Sequence, residues 1–317
     1  MDVTVLTALN EPKSQSPRYL SFSEGRKLDH CDVLIAVRTW QSLLSPIRAR
    51  LKLFWTGDSY DALPTLGIGD PRVSALIDCL LCVSTWQAQT LSNAAGWPSY
   101  KTWVLGNGVY LPYFHKKQVE RRRTRLIYSS TPQRGLAHVP RLYGLVKALV
   151  PDAELQIYSG YGVYSNGGTF DSARESEWHD LRKQLEQLPD CEVHDNVQQE
   201  ALSCAFMQSS VLFYPCSFEE TSCITAMEAQ AAGCAIVTTR LAALTETVKN
   251  SGLLIEGMPG DPHYDNAFVQ ATCRLLRDDP SFLECSANGI ERARLEFDWE
   301  AIARRFVSYL EQTIRLP

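Results

Sequence analysis

Residues 213–233 constrain the fold of this chain more than any other part of the sequence. An apolar, partly β-branched run at 210–214 comes before Pro215, which has no backbone N–H and so ends a buried strand. Residues 223–232 are rich in Ala, Met, Glu and Gln, and Gly233 follows them. We therefore predict a strand, a loop over 215–222 and a helix.

Two carboxylates mark this strand–loop–helix element: Glu220 lies in the loop and Glu228 about two turns into the helix, with Thr221 or Ser222 expected as N-cap. A strand-to-helix turn presents free N–H groups and the positive end of a helix dipole, which suit an anion. A carboxylate there would repel phosphate, so we interpret both glutamates as acceptors for hydroxyls of a phosphate-bearing ligand. Their spacing alone also fits solvated helix charges.

Length and composition describe an ordinary globular protein of two domains. The chain has 317 residues, 45% of them hydrophobic and 21% charged. It has neither an apolar run of about 18 residues nor a signal-peptide pattern, so we expect a soluble, cytoplasmic protein. The net charge of -5 argues against broad nucleic-acid binding. A small-molecule partner is expected.

The ten cysteines are scattered through apolar patterns, which favours buried thiols over a disulfide framework. Cys79 and Cys82 have the spacing of a metal or redox pair, but they lie in a strand pattern without a second pair, so we interpret them as core residues. No histidine has a metal-ligand spacing, and no Asp-x-Asp motif stands at a strand end. We therefore expect no cofactor and no divalent metal.

The first part of the chain alternates strand and helix patterns, which predicts a parallel sheet of the Rossmann type. The predicted strands are 3–9, 33–37, 51–55, 79–83 and 102–105, and the predicted helices include 40–50 and 85–95. A turn-rich break at 106–114 follows. The run at 121–123, three arginines in an acidic chain, is interpreted as a solvated linker face, with a membrane-surface patch and peripheral membrane association as the alternative.

The second part repeats the alternation. Predicted strands lie at 126–130, 154–159 and 191–194, predicted helices at 136–150, 178–188 and 198–208, and a flexible turn at 160–162. The helix at 136–150 carries an apolar stripe formed by Leu142, Leu145, Val146 and Leu149. The loop 131–135, with Arg134 before a helix, suits a phosphate, although a surface arginine remains the alternative.

In a doubly wound sheet, the loops after 130, 159, 194 and 214 emerge at the carboxyl edge, where ligands bind at the switch in strand order. Arg134, Glu220, Glu228 and the loop 194–197 are then expected to share one site. None of these features is specific singly. Their joint placement at one edge carries the prediction.

The second part also resembles a known family. Pro215, Glu220, 221–223, Glu228–Ala229, Ala232–Gly233 and Ile236–Val237 follow the Glu-x7-Glu pattern of retaining, family-4 type glycosyltransferases (glycosyl transferases group 1) with the GT-B architecture. The segment 107–109, Asn-Gly-Val, is similar to the hinge of that family, and 297–310 resembles its terminal helix.

This resemblance implies an α/β GT-B fold, with two Rossmann-like domains facing each other across a cleft and a C-terminal helix that crosses back. The implied domains are a small acceptor-side domain at 1–115, a nucleotide-sugar domain at 122–297 and a terminal helix at 298–317. The first hundred residues resemble the family poorly, so the first domain is expected to be minimal or truncated.

The resemblance also implies roles for single residues. Glu228 would hold the ribose hydroxyls, and Glu220 would lie against the donor sugar. The remaining donor-side residues are Arg134 on the diphosphate, the N–H groups of Thr221, Ser222 and Cys223 on the sugar or diphosphate, and the turn with Asn196 and Val197 on the base.

The sequence departs from the family pattern at three places. A second basic residue on the diphosphate is missing, so Ser130 and nearby N–H groups are expected to replace it. A Gly-Gly loop after the first strand is absent, where 10–13 and 23–25 stand instead. The usual histidine of the first domain is replaced by the turn 55–58. Trp55, Asp58 and Asn107 are the acceptor-side candidates, with a plain turn aspartate as the alternative for Asp58.

The implied reaction moves a sugar from a nucleotide-sugar, UDP-sugar favoured and GDP-sugar second, to a hydroxyl of a glycan, a lipid-linked or a small-molecule acceptor, with retention of configuration. Arg134 and the start of the 223–232 helix would stabilise the leaving diphosphate, and Glu220 and Arg134 are the catalytic candidates. Two alternatives stay open: a non-catalytic nucleotide-sugar-binding subunit of a partner transferase, and a sugar-nucleotide 2-epimerase.

Overall fold

A computed structural model of the protein describes residues 2–8, 17–25, 27–115, 119–161 and 172–315. The loop 10–13 and Gly162, both singled out in the sequence, lie outside the described residues. The chain divides into two compact units, one formed by 1–105 with 306–317 and the other by 106–305. In the part of the chain that is described, no helix combines the length and the apolar character needed to cross a membrane.

The first unit is built on a four-stranded parallel sheet in the order β3-β4-β5-β6, beside a separate parallel pair, β1-β2. Its strands β1 to β6 are Thr4–Thr7, Arg18–Ser21, His30–Val37, Arg48–Trp55, Cys79–Cys82 and Thr102–Val104. Its helices α1 to α4 are Phe22–Gly25, Leu63–Leu66, Pro71–Ser74 and Thr85–Ala95, and 3-10 turns occupy Trp40–Leu44, Tyr60–Ala62 and Ser99–Lys101.

One prediction for the first unit is wrong, and a second is confirmed only in part. The segment 40–50 is a 3-10 turn followed by the start of β4 at Arg48, because 48–53 alternates polar and apolar side chains with the period of a strand. The strand predicted at 3–9 is not part of the main sheet. It forms Thr4–Thr7 and pairs with Arg18–Ser21, a strand that the sequence reading missed.

The second unit is a six-stranded parallel sheet in the order β12-β11-β10-β7-β8-β9. Its strands β7 to β12 are Arg125–Ser129, Glu154–Tyr158, Cys191–His194, Val211–Tyr214, Ala235–Thr239 and Gly252–Ile255. Its helices α5 to α13 are Pro112–His115, Val139–Leu149, Ser172–Glu186, Gln199–Gln208, Ile224–Ala231, Leu244–Val248, Pro262–Arg277, Asp279–Arg292 and Trp299–Arg315, the last of which continues into the first unit. The doubly wound sheet predicted from the sequence is confirmed.

The core of the second unit lies on both faces of this sheet, since β7, β10 and β11 are almost wholly buried. Helix α6 contributes Val139, Leu142, Tyr143 and Val146 to that core. The predicted stripe is therefore half wrong. Leu145 is 47% exposed and Leu149 is 42% exposed, because the buried face runs through Val139 and Tyr143 instead.

Arg121 and Arg123 make contacts inside the second unit, so the interpretation of this run as a solvated linker face was wrong for these two residues. Arg121 donates to the carbonyl oxygens of Ser209 and Ala232. The guanidinium of Arg123 lies 4.1 Å from the centroid of the Phe282 ring and donates to the carbonyl of Leu275. These contacts join the segment before β7 to the ends of α8 and α9 and to α11 and α12.

Arg122, the exposed member of the run, pairs with Glu154 at the start of β8. A run of charged residues indicates solvated surface only when its side chains form no hydrogen bonds with the backbone. The sequence could not show that Arg121 and Arg123 donate to carbonyl oxygens far along the chain. Two of these carbonyls are more than a hundred residues from the arginine, and that of Ser209 is somewhat nearer.

The prediction of buried, unpaired thiols is confirmed for seven of the ten cysteines, whereas Cys31, Cys191 and Cys204 are half-buried. All ten cysteines lie in the described part of the chain, and no disulfide joins any two of them. Cys79 and Cys82 are buried in β5, and burial raises the pKa of the Cys82 thiol to about 12. Both therefore act as apolar core residues rather than as thiolate ligands.

The Asn-Gly-Val segment packs on the start of α13 within the second unit. The N–H of Val109 donates to the carbonyl of Phe297 at 2.7 Å, and Trp299 returns a bond to the carbonyl of Val109. A Cβ on Gly108 would stand 2.8 Å from the Phe297 carbonyl oxygen, so this close approach needs a glycine.

Candidate functional site

The switch in strand order lies between β7 and β10, which are neighbours in the sheet although β8 and β9 separate them in the chain. The loops that follow them, 130–135 and 215–223, meet at the carboxyl edge. Gly135 allows the meeting: its φ is +104°, and a Cβ there would stand 2.1 Å from the carbonyl oxygen of Pro215. Edges of this kind are where open parallel sheets bind ligands.

Arg134 and Glu220 form an ion pair across these two loops. A guanidinium N–H of Arg134 donates to Oε2 of Glu220 at 2.5 Å, and the guanidinium lies 3.7 Å from the centroid of the Phe218 ring. The two side chains are 21% and 10% exposed. The sequence placed Arg134 and Glu220 at the same edge, and the structure brings them into direct contact.

Tyr214, the last residue of β10, holds the other oxygen of Glu220. Its hydroxyl donates to Oε1 at 2.7 Å and lies 3.4 Å from the hydroxyl of Ser130. Burial, and next the negative charge of Glu220, raise the pKa of Tyr214 well above its ordinary value, so it remains a donor. The sequence reading used Tyr214 only as a strand residue. A tyrosine, which carries a hydroxyl, at the end of an otherwise apolar strand was the available signal.

The loop before α9 ends differently from the prediction. The N-cap is Cys223, with φ 68° and ψ 76°, and no side chain caps the helix, so Thr221 and Ser222 as N-cap were wrong. The reason is the left-handed turn at Cys223, whose carbonyl accepts the first helical bonds. The Ser222 hydroxyl is buried, and among the described residues it meets no hydrogen-bond partner.

Glu228 is 6% exposed and lies on α9, whose first turn is tied to β7 by the bond from the Thr225 hydroxyl to the carbonyl of Ser129. The side-chain amide of Gln199, the first residue of α8, donates to the Glu228 carboxylate. Burial raises the pKa of Glu228 to about 7, and the Gln199 amide partly opposes that rise. The sequence missed Gln199, because a glutamine at a helix start has no distinctive pattern.

The predicted base-binding loop follows β9, two strands from β7. Ser159 links the strand ends: its N–H donates to the carbonyl of His194 at 3.1 Å, and its hydroxyl donates to the carbonyl of Ser130 at 2.6 Å. In the same loop the side chain of Asn196 lies close to Gly160, and Val197 is 40% exposed. The loop therefore shares the edge with Arg134 and Glu220.

The His194 ring stacks on Tyr158, with ring centroids 4.6 Å apart, and its Nε2 lies 2.7 Å from the Gln156 side-chain oxygen. Both partners belong to β8, so the ring is fixed against the neighbouring strand. This contact sets the start of the turn that carries Asn196 and Val197. Their role in holding a base stays a prediction.

The acceptor-side candidates fall in different units. Trp55 ends β4, and Asp58 lies just beyond it; both belong to the first unit, whereas Asn107 belongs to the second. Asp58 accepts two bonds from the guanidinium of Arg38, at 3.0 and 2.6 Å, and one from the Thr56 hydroxyl. These contacts make Asp58 a tightly held residue at the carboxyl edge of the first sheet.

Taken together, the described residues around the switch point include the cation Arg134, the buried carboxylates of Glu220 and Glu228 and the N-terminus of α9. A cation beside free helix N–H groups suits a diphosphate, and carboxylates suit sugar or ribose hydroxyls. Among the residues that are described, no group of three or more His, Cys, Asp or Glu side chains is placed to share a metal ion.

Parts of this chain are similar to known proteins. Residues 163–278 match the family described as "Glycosyl transferases group 1". D-inositol 3-phosphate glycosyltransferase of Corynebacterium kroppenstedtii is 29% identical over 167 residues, which cover 52% of this chain and 35% of that protein. The chain thus spans about a third of the length of that relative.

Two solved structures show the same fold. Sucrose-phosphate synthase of Thermosynechococcus elongatus aligns with a TM-score of 0.69 at 18% identity, over 90% of this chain and 74% of that one. Anabaena HepE in complex with UDP-glucose aligns with a TM-score of 0.66 at 13% identity, over 89% of this chain and 79% of that one. The predicted α/β fold of the GT-B class is confirmed.

Proposed function

We propose that this chain binds a nucleotide-sugar at the carboxyl edge of the second sheet and transfers the sugar to a hydroxyl acceptor. The observation that carries the proposal is the Arg134–Glu220 pair at the switch between β7 and β10. In this pair, a cation suited to a diphosphate contacts a carboxylate that can accept hydrogen bonds from sugar hydroxyls. The family match and the solved complexes of similar fold with UDP and UDP-glucose support the same assignment.

Leaving-group stabilisation is the chemistry that this edge supplies. Breaking the bond between the sugar and the diphosphate leaves negative charge on the phosphate oxygens and positive charge on the anomeric carbon. Arg134 is the cation for that charge, and the N–H groups at the start of α9 add dipoles. Ser130 and the N–H groups of Thr221, Ser222 and Cys223 complete the diphosphate side of the proposed site.

The two carboxylates would recognise different parts of the donor. Glu220, next to Arg134, would accept hydroxyls of the donor sugar, and Glu228 would accept the ribose hydroxyls. Asn196 and Val197 would hold the base. UDP-sugar is the favoured donor, with GDP-sugar second. We also propose retention of configuration and independence of divalent metal, because the positive charge of Arg134 and α9 serves the leaving group directly.

The acceptor is assigned to the first unit. Trp55 and Asp58 stand at the carboxyl edge of its sheet, and Asp58 is held there by Arg38 and Thr56. The relative from Corynebacterium acts on D-inositol 3-phosphate by its name, so a phosphorylated polyol belongs in any panel of acceptors. Glycans, lipid-linked sugars and simple monosaccharides complete that panel, and Asn107 is the acceptor-side candidate of the second unit.

The test is a turnover assay with UDP-glucose and GDP-mannose against that acceptor panel, with and without EDTA. We expect nucleoside diphosphate release that requires an acceptor and survives EDTA. Arg134→Ala should lower the rate about 100-fold, the size typical of removing one charge-stabilising donor. Arg122→Ala is the control, since Arg122 lies at the opposite, amino edge of the sheet and pairs with Glu154.

Two results would contradict the proposal. Tight nucleotide-sugar binding without turnover across all acceptors would favour a non-catalytic binding subunit. Conversion of the nucleotide-sugar to its 2-epimer without an acceptor would favour an epimerase. The product formed with an active acceptor also gives the stereochemistry, because NMR of the new glycosidic bond distinguishes retention from inversion.

A further inference from the structure

The two buried glutamates of the proposed donor site have separate polar partners. Tyr214 donates to Glu220 from β10, and Gln199 donates to Glu228 from α8. Neither partner was singled out by the sequence. A substitution of either partner therefore changes the orientation of one carboxylate, while both glutamates remain in the protein.

The polar neighbours of the single Tyr214 proton include the Glu220 carboxylate at 2.7 Å, the Ser130 hydroxyl at 3.4 Å and the weakly accepting Cys216 thiol. An ionised carboxylate only accepts, whereas a serine hydroxyl also donates. The Tyr214 proton is therefore directed to Oε1 of Glu220. The Ser130 hydroxyl can then donate to the Tyr214 oxygen, which links the two loops at the switch point.

Glu220 is thus fixed at both oxygens, by Tyr214 on Oε1 and by Arg134 on Oε2. A carboxylate offers about four acceptor positions, and these two donors account for two of them. The remaining lone pairs of Glu220 can accept hydrogen bonds from ligand hydroxyls. The Glu220 side chain is already held in one orientation before the ligand binds. A flexible glutamate would have to lose that freedom on binding.

We propose that Tyr214 and Gln199 are positioning residues with different targets: Tyr214 orients Glu220 toward the donor sugar, and Gln199 orients Glu228 toward the nucleoside. The inference rests on the proposed function and adds a division of specificity to it. Recognition of the sugar would depend on β10, and recognition of the nucleoside on α8.

The chain supplies a matched control for Tyr214. Tyr128 on the neighbouring strand β7 is equally buried, its ring centroid is 5.6 Å from that of Tyr214, and its hydroxyl donates to the carbonyl of Thr131 rather than to a glutamate. Tyr128→Phe and Tyr214→Phe each remove one buried hydroxyl from the same part of the core. Only the second removes a bond to Glu220.

The experiment is calorimetric titration of the wild type and the variants Tyr214→Phe, Tyr128→Phe and Gln199→Ala with UDP and UDP-glucose, and with GDP and GDP-mannose. For the pair that binds, we expect Tyr214→Phe to weaken the nucleotide-sugar about tenfold more than the nucleotide, which also contains the diphosphate. Gln199→Ala should weaken both ligands by the same factor. Tyr128→Phe should change neither.

Each other result decides against the inference. Equal losses for nucleotide and nucleotide-sugar in Tyr214→Phe, or no loss in either, would remove the assignment of Tyr214 to the sugar. A selective loss of the nucleotide-sugar in Gln199→Ala would remove the assignment of Gln199. If the wild type binds none of the four ligands, the proposed function fails first, and this outcome is distinguishable from the others.

Discussion

At the scale of single residues, Glu228 has the most consequential environment. It is a carboxylate that is 6% exposed, and burial raises its pKa from the ordinary value of 4.5 to about 7. The folded protein therefore keeps a proton that the unfolded chain releases near pH 4.5. The stability contributed by this group is complete below that pH and is lost as the pH rises through about 7.

Replacing this carboxyl with an amide should remove that dependence. We expect the free energy of unfolding of the wild type, measured relative to Glu228→Gln by urea titration, to fall by about 3 kcal/mol between pH 4.5 and pH 8. Using the variant as the reference cancels the other titrating groups. Glu300→Gln is a surface control, since that side chain is 83% exposed. Parallel curves for the wild type and Glu228→Gln would contradict the prediction.

The residue scale also shows what the sequence can and cannot reveal. Glu220, Glu228 and Arg134 were found because their positions relative to a strand end and a helix start are fixed by local pattern. Tyr214 and Gln199 were missed because their importance depends on the side chain that each one contacts. Tyr214 and its partner are 6 residues apart in the chain, and Gln199 and its partner are 29 residues apart. Thr221 and Ser222 failed as caps because a left-handed Cys223 cannot be read from composition.

At the scale of elements, the site depends on the contact between two loops. The loop 130–135 and the loop 215–223 approach until Gly135 touches the backbone of Pro215. Arg134 directly precedes that glycine in the chain, so the contact fixes the backbone position from which the Arg134 side chain extends. Most elements that were predicted from periodicity alone are present in the structure. The helix predicted at 40–50 is wrong, because the sequence pattern of a short turn followed by the start of a strand resembles that of a helix.

A methyl group at Gly135 should separate the two loops. Gly135→Ala puts an alanine at φ +104° and a Cβ 2.1 Å from the Pro215 carbonyl oxygen, so we expect a loss of about 2 kcal/mol or more in the free energy of unfolding and weaker nucleotide binding. Urea unfolding and calorimetry measure the two effects.

Gly144→Ala provides the matched control for this change. Gly144 lies inside α6, and a Cβ there would meet nothing within 4 Å. The substitution should stabilise the protein by about 0.5–1 kcal/mol, because alanine loses less backbone entropy in a helix. A Gly135→Ala protein as stable as the wild type would show that the loops can separate without cost.

At the scale of the whole molecule, the fold was predicted more completely than the site. Strand and helix alternation fixed the parallel sheets, and the order β12-β11-β10-β7-β8-β9 confirms the doubly wound arrangement. The arginines at 121–123 could not be interpreted in the same way, because their partners Ser209, Ala232 and Leu275 lie on later elements. Long-range hydrogen bonds have no local pattern in a sequence.

The central claim is that a nucleotide-sugar binds at the β7–β10 edge, and a thermal-shift panel tests it most directly. UDP, GDP, ADP and their common sugar conjugates would be added to the wild type, Arg134→Ala, Glu228→Ala and the control Arg122→Ala. Ligand at about 100 times its Kd adds about 2.7 kcal/mol, which raises the Tm of a domain of this size by several degrees.

We predict that one nucleotide family raises the Tm of the wild type and of Arg122→Ala, and that the rise disappears in Arg134→Ala and Glu228→Ala. That result would place the donor at this edge and identify its base. If no nucleotide or nucleotide-sugar shifts the wild type, or if both site variants respond as the wild type does, the donor site is not where we have placed it.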